Sequence, residues 1–374
     1  MNINDRLETN INPNPTRGNE NPRISIAMAT YNGEKFIREQ LDSLAKQTIL
    51  PFELVVSDDG STDQTIQIVH DFAKTSPFPV HIYINDINLH YTGNFLKSAS
   101  LCHGEIIAFC DQDDIWEERK LKECITKILS AKADLVLHEG RIIDRYGHPT
   151  TKKAPDLSDS SKWSFPPPPN KMFGKTLGFA MVVRYKVIEE LLKWWDWDEY
   201  ISLRKKHGSP LGHDILVYSC CIGKRNIGFI EDELVRYRVH GGNVCARASI
   251  TQGYLDKFKY FFRYLKFDMK KYTEQGEKLA AEAVFLRAYL KRATNTKFIG
   301  LEQLADWFDQ RARLWIKRSE VYDRRRSKLK RLGTVAYLLY SGSYVSSREH
   351  KLGINALMKD ILVGSLMPFQ GKEK

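Results

Sequence analysis

The sequence predicts an α/β fold in which helices cover both faces of a parallel sheet and a helical region follows. Between residues 23 and 138, short apolar runs alternate with segments whose apolar residues recur at helical spacing. Three of the runs end in polar clusters, and ligands of such sheets bind beyond the carboxyl ends of the strands. A ligand-binding domain at the front of the chain is therefore expected.

Each element follows from a local pattern. Four early apolar runs predict the first strands, and three later ones continue the series. The strands are expected at residues 23–29, 53–57, 80–84, 105–110, 133–138, 177–183 and 228–230. The first helix follows from Phe36, Ile37, Leu41 and Leu44. Ser61 or Thr62 is expected to cap the second.

The chain is organised around Asp111-Gln112-Asp113-Asp114, which follows the fourth strand. Three carboxylates within four residues repel one another unless a cation or hydrogen-bond donors balance them. A divalent cation that holds a diphosphate would do so. The alternative is an acidic turn that caps a helix beginning at Glu117.

Length and composition set the class of protein. A chain of 374 residues with 42% hydrophobic content has room for two packed domains. The six cysteines form no C-x-x-C pair, so a zinc site is not expected and the cysteines near the motifs are read as packing residues. No secretory signal is visible, which favours a cytoplasmic protein with reduced thiols.

Charge divides the chain unevenly. Residues 246–374 hold 27 Lys+Arg and 13 Asp+Glu, a balance of +14, which leaves −3 for the rest of a chain whose net charge is +11. Six cations lie within residues 324–331. Residues 254–290, 301–314 and 335–366 have helical periodicity, without an uncharged run long enough to cross a membrane. Packing against the front domain and binding to an anionic membrane surface both remain open.

The polar clusters resemble the signatures of family 2 glycosyltransferases. These are Ala29-Thr30-Tyr31-Asn32-Gly33, residues 57–63 and residues 111–116, in the family's order and spacing. Gly212-His213-Asp214, followed by residues 237–243, is similar to the bacterial rhamnosyltransferase-like branch. The resemblance covers roughly residues 22–245.

The resemblance implies a GT-A fold with a Rossmann-like mixed sheet and a mostly α-helical C-terminal region. Together with composition, which predicts a loose tail rich in Asn and Pro, it divides the chain into a disordered tail (1–20), a glycosyltransferase domain (21–245) and a basic helical region (246–374). The implied reaction is inverting transfer of a sugar from a dTDP- or UDP-sugar to a saccharide or lipid-linked acceptor, in the synthesis of a bacterial surface polysaccharide such as O-antigen or capsule. The implied cofactor is Mn²⁺ or Mg²⁺. The enzyme would be cytoplasmic, or peripheral on the inner face of the cytoplasmic membrane.

The resemblance also assigns roles to residues. Asp113 matches the metal-binding Asp of the D-x-D motif, and His240 would complete the metal shell or reach the diphosphate. The nucleotide-sugar would be held by residues at the strand ends, namely Thr30, Tyr31, Asp58, Asp59 and Asp111.

Asp214 matches the general base that takes a proton from the acceptor hydroxyl. Its alternative role is to cap the helix that it opens. The more widespread Glu-Asp pair is His213-Asp214 here, and His213 is read as a structural neighbour. Trp194, Trp195 and Trp197 either stack on acceptor sugars or pack in the core.

Two other functions are weighed against the transferase. A nucleic-acid-binding protein could act through the basic C-terminal region, but that region carries no recognisable nucleic-acid motif, and no nucleic acid is expected as a partner. A nucleotidyltransferase would want a Gly- and Arg-rich phosphate loop where this chain has Thr30-Tyr31-Asn32-Gly33.

Overall fold

The computed structural model describes residues 22–157, 176–208, 211–223, 226–240, 269–293, 296–341, 343–344 and 354–361. The strands are β1 (Ile24–Thr30), β2 (Glu53–Asp58), β3 (Val80–Ile84), β4 (Ile106–Asp111), β5 (Ile115–Trp116), β6 (Leu135–Ile143), β7 (Pro149–Lys153), β8 (Met181–Arg184) and β9 (Ile227–Arg238). The helices are α1 (Ile37–Ala45), α2 (Thr65–Ala73), α3 (His90–Ser100), α4 (Lys120–Ser130), α5 (Tyr185–Leu192), α6 (Trp197–His207), α7 (His213–Cys221), α8 (Met269–Arg292), α9 (Ile299–Ser319), α10 (Lys328–Tyr340) and α11 (Ile354–Lys359).

One mixed sheet joins the strands. Its order is β3-β2-β1-β4-β8-β6-β9-β5, with β7 added beside β6. The strands β1 to β4 are parallel, whereas β8 runs antiparallel to both β4 and β6. The register sets Thr30 beside Asp58 and Ala29 beside Asp111, so the polar clusters meet at one edge of the sheet.

The central strands are continuous apolar runs because both faces of the sheet are covered. Successive residues of β1 alternate between two apolar cores. Ala27 lies in one core with the helices α3, α5 and α7, and Met28 lies in the other with α1 and α4. The α/β prediction with a mixed sheet is confirmed.

The helices α8 and α9 extend the first of these cores. Phe285 and Leu304 belong to the same buried cluster as Tyr218 of α7. Gly300 lies so close to α7 that a methyl group there would overlap the backbone oxygen of Ser219. Packing against the α/β core therefore accounts for these two basic helices.

Trp195 is buried in this core against Phe285, with Trp194 and Trp197 packed at its margin. The core role weighed for these tryptophans is thus the one the structure supports. The five described cysteines are buried and form no disulfide with one another, as packing residues would be. Among the described helices, none combines the length and apolarity of a membrane-spanning segment.

Several local expectations were wrong. The run at 228–230 is part of one long strand, β9, which pairs in parallel with β6 through two register shifts. The helix α2 begins at Thr65, and neither Ser61 nor Thr62 caps it. A 3-10 turn, Gly178–Ala180, occupies the start of the strand expected at 177–183. The tail 1–20, the run 166–169 and the first part of the pattern 254–290, residues 254–268, lie outside the described residues.

Candidate active site

At the end of the first strand, the side chains of Thr30 and Asp58 form a buried hydrogen-bonded pair. Both side chains are buried, and the Thr30 hydroxyl donates to Asp58 Oδ2 at 2.7 Å. Asp58 also accepts hydrogen bonds from the backbone of Gly60 and Ser61 and from the Ser61 hydroxyl. These donors hold the loop between β2 and α2 in place. Contact of Thr30 or Asp58 with a nucleotide stays a prediction.

Tyr31 is held by Gln112, a residue of the acidic loop. The backbone amide of Tyr31 donates to Gln112 Oε1 at 2.9 Å, and Gln112 Nε2 donates to the Tyr31 carbonyl at 3.0 Å. Gly33 leaves room for this pair, since a methyl group at Gly33 would overlap the Gln112 amide. The Tyr31 ring itself is 51% exposed and therefore accessible to a ligand.

Asp59 follows Asp58 but has a different environment. Its Oδ1 accepts hydrogen bonds from Asn85 Nδ2 at 2.8 Å and from the backbone amide of Leu89 at 3.0 Å. Burial raises the pKa of Asp59 to about 6 against the opposing effect of these donors. Asp59 thereby ties the loop before α3 to the end of β2.

The carboxylates after β4 are crowded. Burial and the charges of Asp113 and Asp214 raise the pKa of Asp111. Burial also raises the pKa of Asp114, whose Oδ1 accepts from the backbone amide of Arg238 at 2.9 Å. The buried Lys120 supplies a compensating charge to the cluster.

The acidic residues do not cap the following helix. That helix, α4, begins at Lys120 with Arg119 at its N-cap position and without a side-chain capping bond. The capping alternative for the acidic turn is therefore wrong.

The end of β9 supports Asp113. His240 Nε2 lies 2.8 Å from Asp113 Oδ2, and the His240 ring packs against Phe36. Arg238 is buried, donates from Nε to the Asp113 carbonyl at 2.9 Å and pairs with Glu39 of α1. Sequence reasoning brought His240 to this place but missed Arg238, although it stands two residues before His240.

Asp214 is the second residue of α7. Its Oδ1 accepts from the backbone amide of Ile215 at 2.8 Å, and the N-cap position belongs to Gly212. Gly212 must stay small, because a methyl group there would overlap Asp214 Oδ1. Burial raises the pKa of Asp214 to about 6. Because the neighbouring His213 packs on Phe109, two residues before Asp111, the start of α7 lies near the end of β4.

His213 points away from this cluster into the core. Its ring stacks on Phe95 at 4.1 Å between centroids and packs on Phe109. Burial lowers the pKa of His213 to about 3, so the ring is neutral at physiological pH. This supports the reading of His213 as a structural neighbour.

The side chains near the acidic loop can be assessed as ligands of a divalent cation. Asp113 and His240 form an adjacent pair of ligand types, but among the described residues no group of three or more His, Cys, Asp and Glu side chains is arranged as a metal site. Mg²⁺-type ions commonly take one or two carboxylates and complete their shell with phosphate and water. The pair therefore fits a cation that is shared with a diphosphate.

Comparison with known proteins identifies the domain at the front of the chain. The model for glycosyl transferase family 2 matches residues 25–192, which span β1 to α5. The chain carries a family 2 glycosyltransferase domain. Together with the strand order, this match confirms the GT-A fold class for the glycosyltransferase domain.

Relatives of the glycosyltransferase domain are found in several bacteria. An uncharacterized glycosyltransferase of Nostoc sp. is 26% identical over 240 residues, which cover 59% of this chain and 66% of that protein. The dTDP-rhamnosyl transferase RfbG of Shigella flexneri is 39% identical over 102 residues, or 26% of this chain and 35% of that protein. The poly(ribitol-phosphate) beta-N-acetylglucosaminyltransferase TarS of Staphylococcus aureus is 31% identical over 167 residues, or 41% and 28%. The chain thus matches less than two thirds of each relative's length.

Solved structures resemble the glycosyltransferase domain and its extension more distantly. TarS 1-349 of S. aureus in complex with UDP-GlcNAc is 18% identical with a TM-score of 0.48, over 82% of this chain and 93% of that one. The mannosyltransferase PcManGT of Pyrobaculum calidifontis in complex with GDP-Man and Mn²⁺ is 14% identical with a TM-score of 0.44, over 92% and 87%. These similarities are too low to transfer a ligand or a substrate.

Proposed function

We propose that this protein transfers a sugar from a nucleoside diphosphate sugar to an acceptor hydroxyl, with inversion and with Asp214 as general base. The supporting observation is that the start of α7, which carries Asp214, lies near the end of β4, which carries Asp111, because His213 packs on Phe109. The two residues are far apart in the sequence and belong to different elements, a helix start and a strand end. An edge of the sheet at which carboxylates in different environments lie close together suits acid–base chemistry.

Asp214 is suited to accept a proton near neutral pH. With a pKa of about 6 it is mostly ionised at pH 7, yet it is more basic than an ordinary carboxylate. As the acceptor oxygen bonds to the anomeric carbon, its proton passes to Asp214. The bond from the anomeric carbon to the diphosphate oxygen breaks on the opposite face, and the nucleoside diphosphate leaves with the electron pair.

Charge builds up on the leaving diphosphate. Asp113 and His240 would hold Mn²⁺ or Mg²⁺ there, and such an ion stabilises a phosphate leaving group as a Lewis acid. Arg238 holds the backbone of Asp113, and Lys120 offsets the carboxylates from within the core. These two cations stabilise the acidic loop from within the protein and do not occupy the edge of the sheet at which the ligand would bind.

Thr30, Tyr31, Asp58, Asp59 and Asp111 would form the nucleotide-sugar site. The exposed Tyr31 ring offers a flat face on which the nucleotide base would stack. The hydrogen bonds to Asp58 hold the loop that carries Asp59. Relatives are named as a dTDP-rhamnosyl transferase and an N-acetylglucosaminyltransferase, which supports a dTDP- or UDP-sugar as donor.

The acceptor proposed is a saccharide or a lipid-linked saccharide, in the synthesis of a bacterial surface polysaccharide such as O-antigen or capsule. One relative is named for its action on poly(ribitol-phosphate), which supports a polymer acceptor. We place the reaction in the cytoplasm, with the enzyme peripheral on the inner face of the membrane. The family match favours this function over nucleic-acid binding and over nucleotidyl transfer.

A screen of nucleotide sugars tests the proposal. The full chain is incubated with UDP- and dTDP-sugars plus Mn²⁺, Mg²⁺ or EDTA, and release of nucleoside diphosphate is measured with and without saccharide acceptors. We expect release from one donor class, its loss in EDTA, and its loss in Asp214→Asn. A chain that neither binds nor cleaves any nucleotide sugar would overturn the proposal.

A further inference from the structure

One helix of the C-terminal region exposes an apolar face. On α10, Leu329 is 84% exposed and Tyr340 is 94% exposed, and Leu332, Ala336 and Leu339 are exposed between them. The spacing of three, seven, ten and eleven residues from Leu329 puts all five on one side of the helix. We call these five residues the α10 stripe. A contiguous apolar stripe in solvent marks an interaction surface.

The opposite side of α10 fixes its orientation. Val335 and Leu338 are buried with Val321 in a small separate core. Next to that core, buried Arg318 of α9 pairs with Asp360, which also accepts hydrogen bonds from the hydroxyls of Tyr322 and Tyr344. The stripe therefore lies on the solvent side of α10, away from this small core, and does not contribute to the packing of the core.

Cations flank the stripe. Residues 324–331 contain six Lys and Arg, and the helix Lys328–Tyr340 contains no acidic residue. Arg325 pairs with Asp323, and Arg326 pairs with Glu320. Lys328 and Lys330 are exposed beside Leu329. An apolar stripe with flanking cations and a terminal Tyr matches the chemistry of an anionic lipid surface.

We propose that α10 lies in the interface of an anionic bilayer, with the stripe inserted among the acyl chains and Lys328 and Lys330 at the head groups. A helix of 13 residues is about 20 Å long, so it can lie on a bilayer but cannot cross it. A second copy of the chain is a poorer occupant. A two-fold contact would set the same cations against each other without acidic partners on the helix.

This surface is linked to the candidate active site by packing. The helix α10 packs on α9, and α9 packs on α7, the helix that opens with His213-Asp214. Bilayer contact through α10 would thus hold the transferase domain at the membrane. The inference deepens the proposed function by naming the membrane-binding element, and it rests on that function only for the use of a lipid-linked acceptor.

Vesicle co-sedimentation tests the proposal. The wild-type chain should sediment with phosphatidylcholine vesicles that contain phosphatidylglycerol, and much less with phosphatidylcholine alone. Replacing the stripe (Leu329→Ser, Leu332→Ser, Tyr340→Ser) should weaken binding by about tenfold or more, since the apolar area that inserts is lost. Lys328→Ser with Lys330→Ser should weaken it by roughly fivefold per cation at low salt, with less effect at high salt.

A matched control removes equally exposed apolar residues elsewhere. Leu129, Tyr146 and Val284 are 48%, 73% and 65% exposed on other surfaces. Their triple replacement by Ser should leave vesicle binding unchanged. All variants should release nucleoside diphosphate from a soluble donor as the wild type does, which separates failure of this inference from failure of the proposed function.

Three results would overturn the inference. They are a wild-type chain that stays in the supernatant at low salt, a stripe variant that binds like the wild type, and a wild-type dimer that the stripe variant converts to a monomer. The last would assign the stripe to a second copy. A single substitution tests the same contact with less risk of misfolding than the triple variant. An environment-sensitive fluorophore on Leu329→Cys should brighten with anionic vesicles, and the same label on Val284→Cys should not.

Discussion

The imidazole of His240 lies 2.8 Å from the carboxylate of Asp113, although the two residues are 127 positions apart in the sequence. The contact forms because the end of β9 runs beside the acidic loop, with Arg238 hydrogen-bonded to Asp113 and Asp114. It joins the last sequence motif of the domain to the D-x-D motif. It also gives the proposed cation two ligands of different type.

The first prediction concerns that pair. Asp113→Ala should abolish transfer and leave the fold intact, because it removes a rim carboxylate without opening a core cavity. His240→Ala should retain partial activity and require more Mn²⁺ for half-maximal rate, because one of two ligands remains. Metal titrations of nucleoside diphosphate release, with melting temperature as the folding control, measure both effects. Near-normal activity of Asp113→Ala in Mn²⁺ and Mg²⁺ would exclude the metal role.

The second prediction concerns the general base. Asp214→Asn should lower turnover by about two to four orders of magnitude, since the amide cannot take the proton. Donor affinity should hold, because the Asn oxygen can still accept from the Ile215 amide. Calorimetric titration with a donor sugar and a turnover assay separate the two quantities. Loss of donor affinity in proportion to turnover would mean that Asp214 binds substrate instead.

The third prediction is a pH dependence of stability with a definite sign. Burial raises the pKa of Asp214 to about 6, so the folded chain holds a proton there that the unfolded chain has released between about pH 4 and 6. Stability from this residue is full below about pH 4 and falls as pH rises through 6. Asp214→Asn should therefore raise the free energy of unfolding by about 1–2 kcal/mol at pH 7, after allowance for partial exposure.

Denaturant unfolding at pH 7 and pH 4 checks this sign. The advantage of Asp214→Asn should shrink strongly at the lower pH, where the wild-type carboxyl is protonated in the folded state and about half protonated in the unfolded state. An advantage that is equal at both pH values would show that it does not come from the ionisation of Asp214. The turnover of the wild type should also rise with pH through about 6, as the base ionises.

The sequence predicted the strand ends well because each was a local signal. Apolar runs of strand length ended at Thr30, Asp58 and Asp111, and parallel strands must bring such ends to one edge. The sequence could not show how the loops lock together. The pairing of Gln112 with Tyr31 spans 81 positions, and Arg238 reaches Asp113 across 125. Neither side chain has a pattern that identifies its partner.

The sequence also could not show how deeply each side chain is buried. Asp58 and Asp59 are neighbours in one motif, but four hydrogen-bond donors surround Asp58, whereas burial raises the pKa of Asp59. The α10 stripe was missed for a related reason. Its apolar residues look like core residues until the buried face, Val335 and Leu338, is known to lie on the other side.

The fourth prediction tests the Gln112–Tyr31 pair with a double-mutant cycle. Gln112→Ala removes both hydrogen bonds to the Tyr31 backbone and should weaken donor binding by up to about thirtyfold, at about 1 kcal/mol for each of the two bonds. Gly33→Ala should do at least as much, because its methyl group displaces the Gln112 amide. The double variant should be no worse than Gln112→Ala alone, since the group that clashed is gone. Additive losses in donor affinity would show that Gly33 acts by another route.

The fifth prediction concerns the docking of the C-terminal helices on the transferase domain. Gly300→Ala should destabilise the chain by about 1–3 kcal/mol, because the new methyl group would overlap the Ser219 carbonyl oxygen and push α9 away from α7. Gly333→Ala is the matched control. It lies in α10, where no atom of the described residues outside the helix's own backbone lies within 4 Å of the added methyl group, so it should be neutral or stabilising by up to about 1 kcal/mol. Urea unfolding of both variants gives the two free energies. If Gly300→Ala were as stable as Gly333→Ala, close packing of α9 on α7 would be excluded. If instead Gly300→Ala also lowered turnover, the contact between these helices would position Asp214 as well as stabilise the fold.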